Sequence, residues 1–133
     1  MKTARALAAV IAVVLLCAPL RAHHGTGTYD STKSVTLSGV VTEFSFVNPH
    51  AALFFDVKDA AGKVVNWAIE MNSPGVLKRA GWTKNTFKPG DQITITVRPA
   101  KAGTPVGLIN RAQPVLVNGK QVLSGDRTAN AID

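Results

Sequence analysis

The sequence predicts a mainly β domain, a small barrel carrying one short helix, and three observations point there. Apolar and polar residues alternate over several stretches of strand length, turn dipeptides separate those stretches, and only one segment has the spacing and end signals of a helix. The chain has 133 residues, which is room for one domain.

Residues 1–22 are expected to lie outside that domain. Lys2 and Arg5 precede an unbroken apolar run from Ala6 to Ala18, and Pro19-Leu20-Arg21-Ala22 follows. A basic start, a short apolar centre and a small residue at the cut are the layout of a secretory signal peptide. The run of 13 residues is shorter than a membrane-spanning helix needs, so no stable membrane anchor is expected after cleavage. A cut after Ala22 starts the mature chain at His23; a cut after Ala18 is the competitor. The expected location is the periplasm or the cell exterior. Cys17, the only cysteine, leaves with the signal, so the mature fold has neither thiol nor disulfide and rests on its core. Lys2, Arg5 and Arg21 leave too, which lowers the formal charge from +7 to +4, with 12 basic residues against 8 acidic ones. The longest basic run left is Lys78-Arg79, and an exported protein seldom meets nucleic acid, so no nucleic-acid partner is expected.

Residues 23–34 are polar and rich in Gly and Thr, with Tyr29 the one large apolar side chain. They read as an N-terminal arm with an edge strand around Thr26 to Tyr29. From Val35 to Phe46 the pattern is strand-like with a change of phase: Val35 and Leu37 share one face, while Val40, Phe44 and Phe46 fall on the other. Gly39 lies between the two sets, which predicts a bulge or bend there, where a long strand turns a barrel corner. Ala51, Leu53, Phe55 and Val57 then alternate with polar partners, Asp59-Ala60-Ala61-Gly62 makes a hairpin turn, and Val65, Trp67 and Ile69 alternate with Asn66 and Glu70.

One helix follows. Asn72 or Ser73 is placed to cap it, Pro74 suits its first turn, and Gly81 suits a left-handed exit, with Trp82 just beyond. Lys88-Pro89-Gly90-Asp91 is turn chemistry. Ile93, Ile95 and Val97 mark a fourth strand, and Gly107 to Val117 a fifth that is interrupted near Gln113-Pro114. Asn118-Gly119 is a two-residue hairpin signal leading to Gln121-Val122-Leu123, and residues 124–133 form a polar, flexible tail. Three strands, a helix, then two more strands, with a bend in a long first strand, is the order of the OB-fold, a five-stranded barrel with a helix between strands three and four. The barrel domain is assigned to residues 35–123.

The chain resembles a family of small exported bacterial proteins of unknown function. The resemblance rests on Ala22-His23-His24, Asn48-Pro49-His50, the hairpin from Asp59 to Trp67, Ser73-Pro74, Gly81-Trp82 and Lys88-Pro89-Gly90-Asp91, and covers roughly residues 22–123. It implies export and a compact β fold, and no activity.

Two groups of residues carry the functional expectations. His23, His24 and His50 are the only histidines. With a cut after Ala22, the free amine and imidazole of His23 chelate one Cu(II), and a second imidazole completes a planar nitrogen set of the kind that suits copper. An arm of ~11 residues reaching ~36 Å is long enough to double back along the first strand to the Asn48-Pro49-His50 turn. The competing reading makes His50 a turn residue and the histidine pair a weak, adventitious chelate. The second group is Phe54, Asn66 and Glu70, which share the outward face of the second and third strands, where OB barrels bind ligands. No Gly-rich phosphate loop, nucleophile elbow or mature cysteine is present, and no spacing pairs Glu43, Asp56 and Glu70 for acid/base work. The expected function is a non-enzymatic periplasmic binding or accessory protein that holds copper through His23, His24 and His50. The alternative is a metal-free OB module that binds a small or oligomeric ligand, or an exported partner protein, on its strand face.

Overall fold

The computed structural model describes residues 26–110 and 112–123. The expected signal peptide, His23, His24 and the tail 124–133 lie outside the described residues. Seven strands are present among the described residues: β1 (Val35–Ser45), β2 (Ala52–Lys58), β3 (Val64–Glu70), β4 (Gln92–Pro99), β5 (Val106–Ile109), β6 (Val115–Val117) and β7 (Lys120–Leu123). One helix, α1 (Pro74–Arg79), connects β3 to β4. The sheet runs β1-β2-β3-β5-β4-β6-β7, and β1 also pairs with β4, which closes the first five strands into a barrel. Only β3 and β5 run parallel; the other pairs are antiparallel. This is the OB topology, with a β6–β7 hairpin appended to β4. The predicted fifth strand is two strands, β5 and β6, broken around Gln113-Pro114 because proline has no N–H to give a ladder.

β1 closes the barrel by belonging to two neighbours. Val35 to Val40 pair with β4, and Val40 to Ser45 pair with β2. Gly39 sits at the handover, where a Cβ would fall on the carbonyl oxygen of Asp56 and against the Phe55 ring. The glycine is therefore required by close backbone approach, not by a bulge. The bulge lies between Val41 and Glu43, and it moves the change of phase away from Gly39. Leu37 and Val41 point into the core, Val40 is 37% exposed, and Thr42 and Glu43 are both exposed before Phe44 and Phe46 turn inward. Two consecutive residues on the outer face are what a bulge inserts. Val40 thus belongs to the outer face, contrary to its grouping with Phe44 and Phe46.

The core is filled by Leu53 and Phe55 from β2, Ile69 from β3, Ile93, Ile95 and Val97 from β4, and Ile109 and Val115 from β5 and β6, all buried. Each such side chain contributes about 1.5–3 kcal/mol through burial, which is how a chain without disulfides holds this fold. Ser73 occupies the N-cap of α1 in extended conformation and Pro74 its first turn, but the Ser73 hydroxyl makes no capping hydrogen bond. The helix ends in a Schellman motif: Gly81, at φ +88°, donates its N–H to the Leu77-to-Lys78 end of the helix at Lys78 O (2.9 Å), and Trp82 donates to Leu77 O (3.0 Å). That geometry delivers Leu77 and Trp82, both buried, into the core. Trp82 meets Phe87 edge-on at 5.0 Å, Phe87 meets Phe44 at 4.9 Å, and Phe46 follows at 5.5 Å.

Two turns legible in the sequence interlock in space. Asp91 accepts from Lys88 N–H (2.8 Å) and from Asn118 Nδ2 (2.9 Å), and the Asn118 side-chain oxygen accepts from Gln92 N–H (2.9 Å). The Asn118 amide, then the Lys88 N–H, hold the Asp91 carboxyl below its ordinary pKa. The hairpin at Asn118-Gly119 is thereby clamped to the start of β4.

Candidate functional site

Strand register assembles an outer face from three strands. Ala52 pairs with Glu70, Phe54 with Ala68 and Asp56 with Asn66, so with Leu53, Phe55 and Ile69 buried, these six residues point outward. The face continues onto β5 through Ala68–Val106 and Glu70–Leu108, and onto β1 through Glu43–Phe54. Phe54, Asn66 and Glu70 share this face as expected. Asn66 is already engaged, its amide donating to Asp56 (2.8 Å) and Thr42 (3.2 Å). Asp56 and Glu70 stand four residues apart along the β2–β3 ladder, and Glu43 pairs opposite Phe54 between them, so these carboxylates do not pair with one another.

His50 emerges from the turn that joins β1 to β2, whose Asn48–Pro49 peptide is cis. Pairing with β3 extends past the strand end: Ala51 N–H donates to Asn72 O (3.1 Å), and Met71 N–H to Ala51 O (2.9 Å). With Ala51 buried, His50 shares the outer parity and becomes the diagonal neighbour of Glu70. Its Nδ1 lies 2.7 Å from Glu70 Oε1, and its side chain is 50% exposed.

The N-terminal arm reaches the same carboxylate. Residues Thr26–Thr28 form a single 3-10 turn, and Tyr29 makes an isolated bridge with Ala100. Lys101 N–H donates to Thr28 O (3.0 Å), and Asp30 N–H to Pro99 O (2.9 Å). The Tyr29 hydroxyl donates to Glu70 Oε2 at 2.7 Å, and the residue is 8% exposed. The arm is thus neither an edge strand over residues 26–29 nor, at Thr28 to Asp30, laid along β1; it docks at the end of β4. Sequence reasoning missed Tyr29. The available signal was a lone aromatic in a polar arm, which needs a place to bury its ring.

Glu70 thus meets one partner on each oxygen, Tyr29 on Oε2 and His50 on Oε1. Burial first, then the hydrogen bond and negative charge of Glu70, push the Tyr29 phenol well above the ordinary value of about 10. Tyr29 is the only tyrosine, so phenolate absorbance reports it alone. In an alkaline titration the folded protein is expected to stay protonated past the pH at which the unfolded chain ionises. The stability this group contributes is complete below about pH 10 and is lost as pH rises beyond it. Glu70→Gln is expected to bring the titration down; a wild-type phenol titrating at its ordinary value contradicts the observed contact.

Among the described residues, no group of three or more His, Cys, Asp or Glu side chains is close enough to hold a metal. Of the three histidines expected to bind copper, His50 alone lies among them. No described helix is long and apolar enough to cross a membrane.

Residues 10–111 match DUF6152, a family of unknown function. The chain belongs to that family. No curated protein matches this DUF6152 chain. Among solved structures it is similar to the mitochondrial single-stranded DNA binding protein Rim1 of S. cerevisiae, at 8% identity and a TM-score of 0.46, over 64% of this chain and 92% of that one. A selenomethionine-labelled crystal of the same yeast protein gives 10% identity and a TM-score of 0.39 over the same shares, 64% and 92%.

Proposed function

We propose that this DUF6152 protein is an exported, periplasmic, non-enzymatic accessory protein that binds copper through His50 together with His23 and His24. The observation that supports this reading best is the His50–Glu70 contact of 2.7 Å. An imidazole that faces a carboxylate through Nδ1 carries its proton there, so in the neutral ring the lone pair sits on Nε2. A histidine held in this way by a carboxylate is the usual arrangement behind a metal-ligating imidazole, since the acidic partner fixes the tautomer and the ring orientation. Nitrogen donors from His23 and His24 would complete a set that suits Cu(II). Reach also favours it. Five residue steps separate His24 from Tyr29, a span of at most about 18 Å, and Tyr29 is bonded to the carboxylate that orients His50.

The reading is tested by Cu(II) titration calorimetry of mature protein whose start at His23 is verified by intact mass. His50→Ala is expected to weaken binding tenfold or more and to change the paramagnetic resonance signature of the bound ion. Equal affinities for the two proteins would reduce the site to the arm alone and overturn the proposal.

A second reading is favoured by the apolar strip of Phe54, Ala68, Val106 and Leu108, which is half-buried on the outer face. On this reading the face binds a small or oligomeric ligand, or an exported partner protein, without metal. Phe54→Ala is then expected to weaken that binding and leave Cu(II) affinity unchanged.

A further inference from the structure

We infer that Asn118 is a deamidation site guarded by the fold, and that its conversion by water to aspartate or isoaspartate releases the β6–β7 hairpin from β4. Asn118 is the only asparagine in the chain that is followed by glycine. Glycine has no side chain to obstruct its own amide nitrogen, and asparagine is among the thermolabile residues. Asn118 and Gly119 form the turn between β6 and β7, at φ +50° and +77°, and both are exposed to the water that the reaction consumes. In the first step the Gly119 nitrogen bonds to Cγ of Asn118 and the Cγ–Nδ2 bond breaks. The side-chain nitrogen leaves as ammonia, taking the proton of the Gly119 N–H. Water then opens the cyclic imide, at Cγ to give aspartate or at the main-chain carbonyl to give isoaspartate. The balance is asparagine plus water to aspartate plus ammonia, with no change of oxidation state.

Both polar atoms of the Asn118 side chain are occupied in the folded protein. Nδ2 donates to Asp91 Oδ1 (2.9 Å) and Oδ1 accepts from Gln92 N–H (2.9 Å), while the Asn118 N–H donates to Gln92 O (2.8 Å). Cγ is therefore tethered to the start of β4 through both of its substituents, and turning it toward the Gly119 nitrogen breaks both bonds. That local opening guards the site. The same contacts make conversion damaging. A carboxylate at position 118 offers no donor to Asp91 and sets two negative groups face to face. Asp91 also accepts from Lys88 N–H (2.8 Å), and its main chain holds β1: Val41 N–H donates to Asp91 O (2.9 Å) and Gly90 N–H to Val41 O (2.8 Å). The loss is thus felt where the hairpin, the 88–91 turn and β1 meet. In isoaspartate the main chain runs through Cγ, which lengthens a two-residue turn whose length sets the register of β6 on β7. Because ammonia is lost, the change accumulates with the time the clamp spends open.

Conversion at position 118 is followed by peptide mapping during incubation at mildly alkaline pH, in buffer and in urea concentrated enough to unfold the chain. Folded wild type is expected to convert at least about tenfold more slowly than the unfolded chain. Asp91→Ala removes the acceptor of Nδ2 and is expected to bring the folded rate toward the unfolded one. Asp91→Asn keeps an acceptor there and is expected to stay near wild type. Freshly prepared Asn118→Asp is expected to melt about 5 °C or more below wild type. Adding Asp91→Asn returns a donor to the pair and is expected to recover most of that loss. Equal rates in buffer and urea, or an Asp91→Ala rate equal to wild type, would remove the guard. An Asn118→Asp protein that melts with wild type, or a loss that Asp91→Asn does not relieve, would remove the release. Any one of these results overturns the inference. Should Asp91→Ala fail to fold, the ratio of the two wild-type rates and the melting of Asn118→Asp decide it.

Discussion

Gly39→Ala is expected to be the most damaging single methyl that can be added to this barrel. The new Cβ would clash with the Asp56 carbonyl oxygen and press on the Phe55 ring, which is itself fully buried. The nearest atoms are backbone, so relief requires a strand to shift rather than a side chain to rotate. β1 is in register with β4 on one side and with β2 on the other at this point, so a shift that relieves the clash breaks ladder pairs on both. Overpacking against backbone puts the cost at about 3 kcal/mol or more, which lowers the melting temperature of a domain this size by roughly 12–24 °C. Val40→Ala, one residue along on the outer face, is the control and is expected to cost within about 0.5 kcal/mol. A melting temperature for Gly39→Ala equal to that of the control would mean that β1 crosses between its neighbours in some other way.

The second large effect concerns Trp82. It is 2% exposed, packs edge-on to Phe87, and its indole Nε1 has no hydrogen-bond partner among the described residues. Trp82→Ala is expected to cost about 3–5 kcal/mol, since the cavity would open where α1 joins the core. Trp82→Phe should cost far less than its lost volume suggests. It removes a buried N–H whose unpaired state costs about 1–3 kcal/mol, and that relief offsets much of the cavity term. Urea denaturation of the two variants separates the contributions. If Phe destabilises as much as Ala, packing alone decides the position and the unpaired indole nitrogen carries no penalty.

The outer-face strands show why much of this protein was legible in advance. Leu53, Phe55 and Ile69 alternate with Phe54, Ala68 and Glu70 because the side-chain period of a strand is two, and a closed barrel buries one parity completely. The exit of α1 was equally local: Gly81 at positive φ, with Trp82 next in the chain, is a Schellman motif that sequence alone can mark. The phase change in β1 was legible in kind and misplaced in position. A glycine next to a phase change invites one explanation for both, whereas the structure uses Gly39 for close approach and spends the extra residue at Thr42.

The candidate site divides along the same line. His50 in its Asn48-Pro49 turn, Glu70 on an outward parity and a polar arm with one aromatic were all visible in the sequence, because each depends on neighbours a few residues away. That these three belong together was not visible. Tyr29 and Glu70 are separated by 41 positions, and their contact exists only because the closed β1–β4 pairing sets the arm at the end of β4 while β5 lies between β4 and β3. The sequence by itself determined β1 to β4, the helix and its Gly81 exit, the turn residues and the donor atoms on offer. Tertiary structure decided which donors share the Glu70 carboxylate, since long-range pairing is set by how the barrel closes and leaves no periodic signal in the chain.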